Sequence, residues 1–297
     1  MKCNWKRYTN GVLLASMLLA MLGCGSDNDS AAPATGTITG NAIKGPLRGG
    51  VVEIYKMTDK GVEDTTPIGT GVVSTDGTGS YTVKFTATTG PVIIKVKGSA
   101  TATYLDEVTN TQKSFSATDS FRAVVPDVTA TTPVAVTPLT EIAAQQLATL
   151  AAAGVSQEVL AATIATVNKD VAAKFGLTDI TLPPTAADVN YLAVLTTISK
   201  IVNDNLASGS ITALTYTINN ILKNAVSTEL ATRTTFAKLL NDTMAALPTT
   251  LIPATVAAAI KANVDDAVKT APPTTTTPTT PTTPNLSVTV SGQVSNR

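Results

Sequence analysis

The spacing of apolar residues changes once along this chain of 297 residues, between residues 126 and 138. Before the change, short β-branched runs alternate apolar and polar positions, as in YTVKF at 81–85, which predicts strands. After it, apolar residues recur every three or four positions, which predicts helices. The sequence therefore predicts a multidomain α+β protein, with an antiparallel β-sandwich over 37–126 followed by an all-α helical bundle over 138–270.

The β-rich part contains seven candidate strands separated by Gly, Pro and Asp turns. Seven short strands at this spacing are typical of an antiparallel sandwich. The Thr/Pro-rich stretch that follows, 127–137, is predicted to be a linker or a last strand. The predicted strands cover residues 37–43, 51–57, 68–74, 81–87, 92–97, 101–108 and 121–125.

The second part contains about six amphipathic helices, each with one apolar stripe. The stripes could pack on one another, dock other proteins or lie on a membrane. We favour an intramolecular bundle, because the polar faces carry Asp, Asn and Thr rather than the basic residues of membrane-surface helices. The predicted helices cover residues 140–153, 156–175, 186–206, 211–225, 236–247 and 254–269.

The β-rich part also contains the stretches ITG at 38–40, GPLRGGVVEI at 45–54 and GVVSTDGTGSY at 71–81. Together they resemble the carboxypeptidase regulatory-like family of Ig-like, transthyretin-like sandwiches. The resemblance places Asp76, Gly79 and Tyr81 in a structural turn: the Asp accepts backbone N–H groups, the Gly takes positive φ and the Tyr re-enters the core. It implies an accessory module for folding, adhesion or sugar binding.

The N-terminus has the features of a processing signal. Three basic residues precede an apolar run of 11 residues over 12–22, which is shorter than the roughly 20 needed to span a bilayer. The run ends at Met21, Leu22, Gly23 and Cys24, which resemble the lipobox of bacterial lipoproteins. The resemblance implies a signal peptide over 1–24, lipid attachment at Cys24 and, because Gly25 follows, the outer membrane. An uncleaved anchor or an ordinary signal peptide is the alternative.

Two low-complexity segments flank the predicted domains. Residues 25–36 are small and polar, and they are predicted to form a flexible tether. Residues 271–285 are rich in Thr and Pro and predict a semi-rigid linker. The final stretch, 286–297, begins with the strand-like run LSVTVSGQV, in which VSGQV matches ITGNA at 38–42 by chemical class. It is either the start of a second sandwich or a lone strand that pairs with a sheet edge.

Composition restricts the chemistry open to this chain. It has no His, only two Cys, 4% aromatic residues and equal numbers of basic and acidic residues. These values argue against His-based catalysis, thiolate metal sites and nucleic-acid binding, so no catalytic residue, metal or cofactor is predicted. Asp76 could instead form a Ca²⁺ site with Asp106, Glu107 or Asp119. We favour a turn cap, because no dense Asp-x-Asp-x-Asp loop is present.

These observations predict a non-enzymatic, membrane-anchored lipoprotein of the bacterial cell envelope with a structural, adhesive or protein-interaction role. Its expected partners are the membrane, through the N-terminal lipid, and envelope proteins or extracellular polysaccharide. One alternative is a carbohydrate-binding module that uses exposed Tyr55, Tyr81 or Tyr104 as stacking surface. A less favoured alternative is a hydrolase that uses carboxylates alone.

Overall fold

The computed structural model describes residues 35–127, 133–205 and 212–274, apart from the side chain of Gln157. The β-rich region comes first and the helical region second, so the α+β prediction is confirmed. The predicted signal peptide, lipobox residues Met21–Cys24 and terminal strand over 286–297 lie outside these residues. Most of the tether over 25–36 and of the linker over 271–285 lies outside them too.

Ten strands form two sheets in the described part of the chain. The larger sheet has seven strands in the order β10-β1-β5-β4-β3-β6-β9, and the smaller has the order β2-β7-β8. Their bounds are β1 Thr35–Ala42, β2 Leu47–Arg48, β3 Val51–Lys56, β4 Gly69–Val72, β5 Ser80–Thr86, β6 Val92–Lys97, β7 Thr103–Asp106, β8 Thr111–Ser114, β9 Ser120–Val125 and β10 Val134–Val136.

The larger sheet is antiparallel except where β10 runs parallel to β1. Its two end strands, β9 and β10, contact each other, so the sheet nearly closes into a barrel. All seven predicted strands are present. The missed strands are β2 and β8, because β2 has only two residues and the four residues of β8 are all exposed, so neither shows an alternation. Strand β10 lies within 127–137, where a linker or a last strand was predicted, so a strand is present there.

Within residues 133–205 and 212–274, six α-helices and one short 3₁₀ helix follow the sheet. Their bounds are α1 Pro138–Ala152, α2 Gln157–Lys174, α3 Val189–Asp204, α4 Ala213–Asn220, the 3₁₀ helix Leu222–Val226, α5 Leu230–Ala245 and α6 Ala254–Ala267. All six predicted helices exist, with three corrections. Helix α5 begins at Leu230, six residues before the predicted start at Phe236. The start of α1 is Pro138, not Thr140, because Thr137 forms a capping box with Thr140 and proline suits the first helical position. The predicted helix over 211–225 breaks at Ile221 into α4 and the 3₁₀ helix.

One hydrophobic core runs from the inside of the sheet into the helical region. On α2 the predicted stripe is completely buried, including Leu160, Ile164 and Phe175. Helix α1 packs directly on β9, an end strand of the larger sheet. None of the helices within the described residues is long and apolar enough to span a membrane.

Candidate functional site

The predicted turn residues lie together at the start of β5. Asp76 Oδ1 accepts hydrogen bonds from the backbone N–H of Thr78 at 2.8 Å and from its hydroxyl at 2.7 Å. These bonds hold the pKa of Asp76 below its usual range. Gly79 has φ of +71°, where a Cβ would lie 2.4 Å from the carbonyl oxygen of Ala42. Tyr81 is buried, and its hydroxyl donates to the carbonyl oxygen of Val134 at 2.9 Å.

The other carboxylates considered for a Ca²⁺ site have protein partners. Asp106 accepts from Thr109 and from the Asn203 amide, and Asp119 accepts from the hydroxyls of Thr212 and Thr215. Burial tends to raise the pKa of Asp106, but its hydrogen bonds to Thr109 and the charge of Lys44 outweigh burial and lower it. Within the described ranges, no group of three or more Asp, Glu or Cys is placed to hold a metal ion.

The three tyrosines proposed for sugar stacking do not form a stacking surface. Tyr81 and Tyr104 are buried at 3% and 5% exposure. Tyr55 is half-buried, and its hydroxyl donates to Glu53 Oε2 at 2.6 Å. Burial and this hydrogen bond raise the pKa of Tyr55 to about 12. A ring buried in the core cannot stack on a sugar, so the carbohydrate alternative loses the support that these residues were expected to give.

A buried polar cluster joins the sheet region to α3. Lys44 follows β1 and is completely buried. Its Nζ donates to Glu107 Oε2 at 3.1 Å and to the Ser199 hydroxyl, and it lies 5.1 Å from the centre of the Tyr104 ring. Ser199, on α3, also donates to Glu107. The cluster therefore neutralises a buried lysine with a carboxylate, a hydroxyl and an aromatic face.

The same cluster contains a serine hydroxyl hydrogen-bonded to a lysine amine, which is the pair that serves as nucleophile and base in some His-free hydrolases. Ser199 and Lys44 are both at 0% exposure. A substrate carbonyl therefore has no access to the Ser199 hydroxyl. The hydrogen bonds and the ion pair of this cluster hold α3 against the sheet region.

A second cluster of charged side chains connects the sheet to α1. The Arg122 guanidinium on β9 makes two hydrogen bonds to the Glu141 carboxylate, at 2.9 and 2.6 Å. Its third partner is Glu63 at 3.6 Å, which also pairs with Lys95 at 3.0 Å. Burial tends to raise the pKa of Glu63, but a backbone hydrogen bond and the two cations lower it. The lowered pKa of Glu63 is the opposite of the raised pKa that a general acid needs.

An apolar groove of about 460 Å³ lies beside the first half of β1. Within the described residues, β10 pairs with β1 from Gly40 to Ala42. Helix α2 and the loop after it form the opposite wall. The apolar lining of the groove includes Ile38, Val124, Val134, Ile164, Ala165 and Leu182.

The rim of this β1 groove is polar, with Asn168 and Lys169 on α2 and with Asp127 and Asp179. The lining also includes residues on both sides of 128–132, which lie outside the described residues. The sequence did not predict the groove, because its walls come from three separate chain segments. An apolar floor with a polar rim is the arrangement found in sites that bind peptides or small apolar ligands.

Comparison with known proteins returns no match. No family model, curated protein or solved structure is similar to this chain. The function is therefore inferred from the β1 groove and from the chemistry of the residues around it.

Proposed function

We propose that this chain is a lipid-anchored, non-enzymatic protein of the bacterial envelope that binds an extended segment of a partner protein in the β1 groove. The observation that carries the proposal is the groove itself, an apolar cavity with a polar rim that lies beside β1. The envelope location rests on the lipobox-like residues Met21–Cys24.

The geometry of β1 favours an extended partner. Strand β1 pairs with β5 from Thr35 to Asn41 on one side and, among the described residues, with β10 from Gly40 to Ala42 on the other. Alternate residues over 35–39 therefore direct N–H and C=O groups away from β5. A partner strand would bond to these groups and place every second side chain in the apolar groove, which is the strand-addition mode of peptide recognition.

The family resemblance is retained as part of the proposal. We infer that residues 37–126 are a carboxypeptidase regulatory-like module, and the turn geometry of Asp76, Gly79 and Tyr81 supports this assignment. In this assignment β10 lies outside the module. It belongs to the segment that leads into α1, and it adds one strand to the end of the larger sheet. Members of that family act mainly as accessory modules, which agrees with a binding role rather than catalysis.

Replacement of Cys24 by serine is expected to abolish lipid attachment. The full chain should lose incorporation of radiolabelled palmitate and move from the membrane fraction to the soluble fraction, because each buried acyl methylene contributes about 0.8 kcal/mol to membrane binding. Cys3→Ser is the matched control and should keep both properties. Unchanged palmitate labelling of Cys24→Ser would show that the N-terminus is not a lipobox.

Filling the groove is expected to reduce peptide binding. The probe is a fluorescent octapeptide of alternating valine and threonine, titrated by anisotropy against the chain carrying Cys24→Ser. Ala165 is exposed and lines the groove, so Ala165→Trp should weaken binding at least about tenfold by occupying the cavity. Ala259→Trp adds the same ring at an exposed position on α6 and should leave binding unchanged. Equal affinities for the two variants would refute the groove as the binding site.

A further inference from the structure

The α2 wall of the β1 groove carries a buried polar side chain. Asn168 is 9% exposed and lies one helical turn from Ile164 and Ala165, which also line the groove. Its side-chain amide makes no hydrogen bond with any described residue. Neither the amide oxygen nor the amide nitrogen is sealed from solvent, so the small exposed part of this residue includes both atoms. The bonding groups of a largely buried amide therefore open on the cavity.

Other asparagines of the helical region satisfy their amides within the fold. Asn205, Asn220 and Asn224 each donate to the carbonyl oxygen four residues earlier, at 2.6, 3.0 and 3.2 Å. Asn168 makes no such bond to the carbonyl oxygen of Ile164. Burial of an amide without a partner costs free energy. The fold therefore gains no stability from this amide, and its donor and acceptor stay available to a ligand.

The surroundings of Asn168 favour an uncharged ligand with amide groups. A side-chain amide offers both a donor and an acceptor, which match the C=O and the N–H of a peptide main chain. The floor of the groove is apolar, and its rim carries charges of both signs on Asp127, Lys169 and Asp179. An anionic or cationic ligand group would meet attraction and repulsion together on this rim. An extended peptide segment with apolar side chains fits both the floor and the amide.

We propose that Asn168 recognises the main chain of the segment bound in the β1 groove, accepting from one of its N–H groups and donating to one of its C=O groups. This inference rests on the proposed function, since it assigns the residue that selects a peptide for the groove. It depends on the α2 wall and not on the edge of β1. An apolar molecule of the same size but without amides would leave Asn168 unbonded, and so it would bind more weakly.

The test compares three forms of the chain, all with Cys24→Ser: the parent, Asn168→Leu and Asn224→Leu. Leucine has a size similar to asparagine and removes the donor and the acceptor. The octapeptide of alternating valine and threonine should bind Asn168→Leu about tenfold more weakly, as expected for the loss of two hydrogen bonds. Asn224→Leu is the matched control and should bind like the parent, because Asn224 lies outside the groove and bonds within its own helix.

Stability distinguishes recognition from a structural role of Asn168. Asn168→Leu should raise the urea midpoint of the free protein, because an apolar side chain replaces a buried amide without a partner. Asn224→Leu should lower the midpoint, because the bond to the Asn220 carbonyl oxygen is lost. A lower urea midpoint for Asn168→Leu would overturn the proposal, since the amide would then be bonded in the free protein.

A series of octapeptides, each with one main-chain amide replaced by an ester, tests the hydrogen bonds themselves. An ester has no N–H and is a weaker acceptor than an amide. At least one ester position should weaken binding to the parent about fivefold and leave binding to Asn168→Leu unchanged. Equal effects on the two proteins at every position would overturn the recognition of the main chain by Asn168.

The outcomes separate this proposal from the proposed function. If Ala165→Trp weakens binding of the octapeptide while Asn168→Leu binds it as tightly as the parent, the groove is the binding site and the role of Asn168 fails. If Ala165→Trp binds the octapeptide as tightly as the parent, the proposed function itself fails, whatever the affinity of Asn168→Leu.

Discussion

Replacement of Lys44 by methionine is expected to lower the free energy of unfolding by about 3 kcal/mol, the low end of the range for breaking a buried ion pair. Lys44 is completely buried, and its amine is shared by Glu107 and Ser199. Methionine fills most of the volume but leaves the Glu107 carboxylate without its cation. The side chain of Glu107 is 18% exposed, so solvent relieves part of the loss. Urea denaturation monitored by circular dichroism measures the change.

Lys200→Met is the matched control, because Lys200 is also on α3 and pairs with Asp204 one turn away, with a side chain that is 33% exposed. Exposed pairs of this kind contribute about 0.3–0.5 kcal/mol. The double variant Lys44→Met/Glu107→Gln removes both charges and should recover part of the stability lost in Lys44→Met. If Lys44→Met lowers the free energy of unfolding by less than about 1 kcal/mol, the cluster does not hold α3 against the sheet region as assigned.

Gly40→Ala is expected to destabilise the protein by about 3 kcal/mol, the upper range for overpacking a core. A Cβ at this position would lie 1.9 Å from the carbonyl oxygen of Val134 and 2.4 Å from the Tyr81 hydroxyl oxygen. Either β10 moves away from β1 or Tyr81 leaves its hydrogen bond to Val134. We expect faster hydrogen exchange of the β10 amides together with a lower urea midpoint.

Gly50→Ala is the matched control for this substitution. The nearest atom to a Cβ at Gly50 is the carbonyl oxygen of Lys97 at 3.1 Å, which a small shift accommodates. We expect a change of less than about 1 kcal/mol. A second comparison is Tyr81→Phe in the Gly40→Ala background, which removes the contact with the hydroxyl but leaves those with the Val134 carbonyl oxygen and with the ring carbon Cζ at 2.6 Å. Equal free energies of unfolding for Gly40→Ala and Gly50→Ala would show that β10 can move away from β1 without loss of stability.

The helices and the longer strands could be predicted because their apolar residues recur at a regular spacing over many positions. Strand β5 alternates cleanly between buried and exposed residues, and α2 buries one stripe over five turns. For β10 the sequence left a linker and a last strand open, because its three residues are all buried and the strand depends on its register with Gly40–Ala42. The same limit applies to β8, whose four exposed residues carry no apolar signal.

The site residues were accessible to sequence reasoning only where they act locally. Asp76 and Gly79 shape a turn within five residues, and turn chemistry is visible in the sequence. Glu107 lies 63 residues after Lys44 along the chain, and Ser199 lies 155 residues after it. Nothing in the residues around Lys44 indicates complete burial, because its partners come from segments that only the tertiary fold brings together. The groove also depends on three distant segments, and so it could not be predicted.

The parallel pairing of β1 and β10 has a mechanical consequence. Tension applied ahead of β1 and behind the helical region would pull these two neighbouring strands past each other along their length. The hydrogen bonds across Gly40–Ala42 would then resist shear together, whereas the bonds at the end of a hairpin separate one at a time. The pairing of β1 with β10 would therefore carry the load in shear at the junction between sheet and helices.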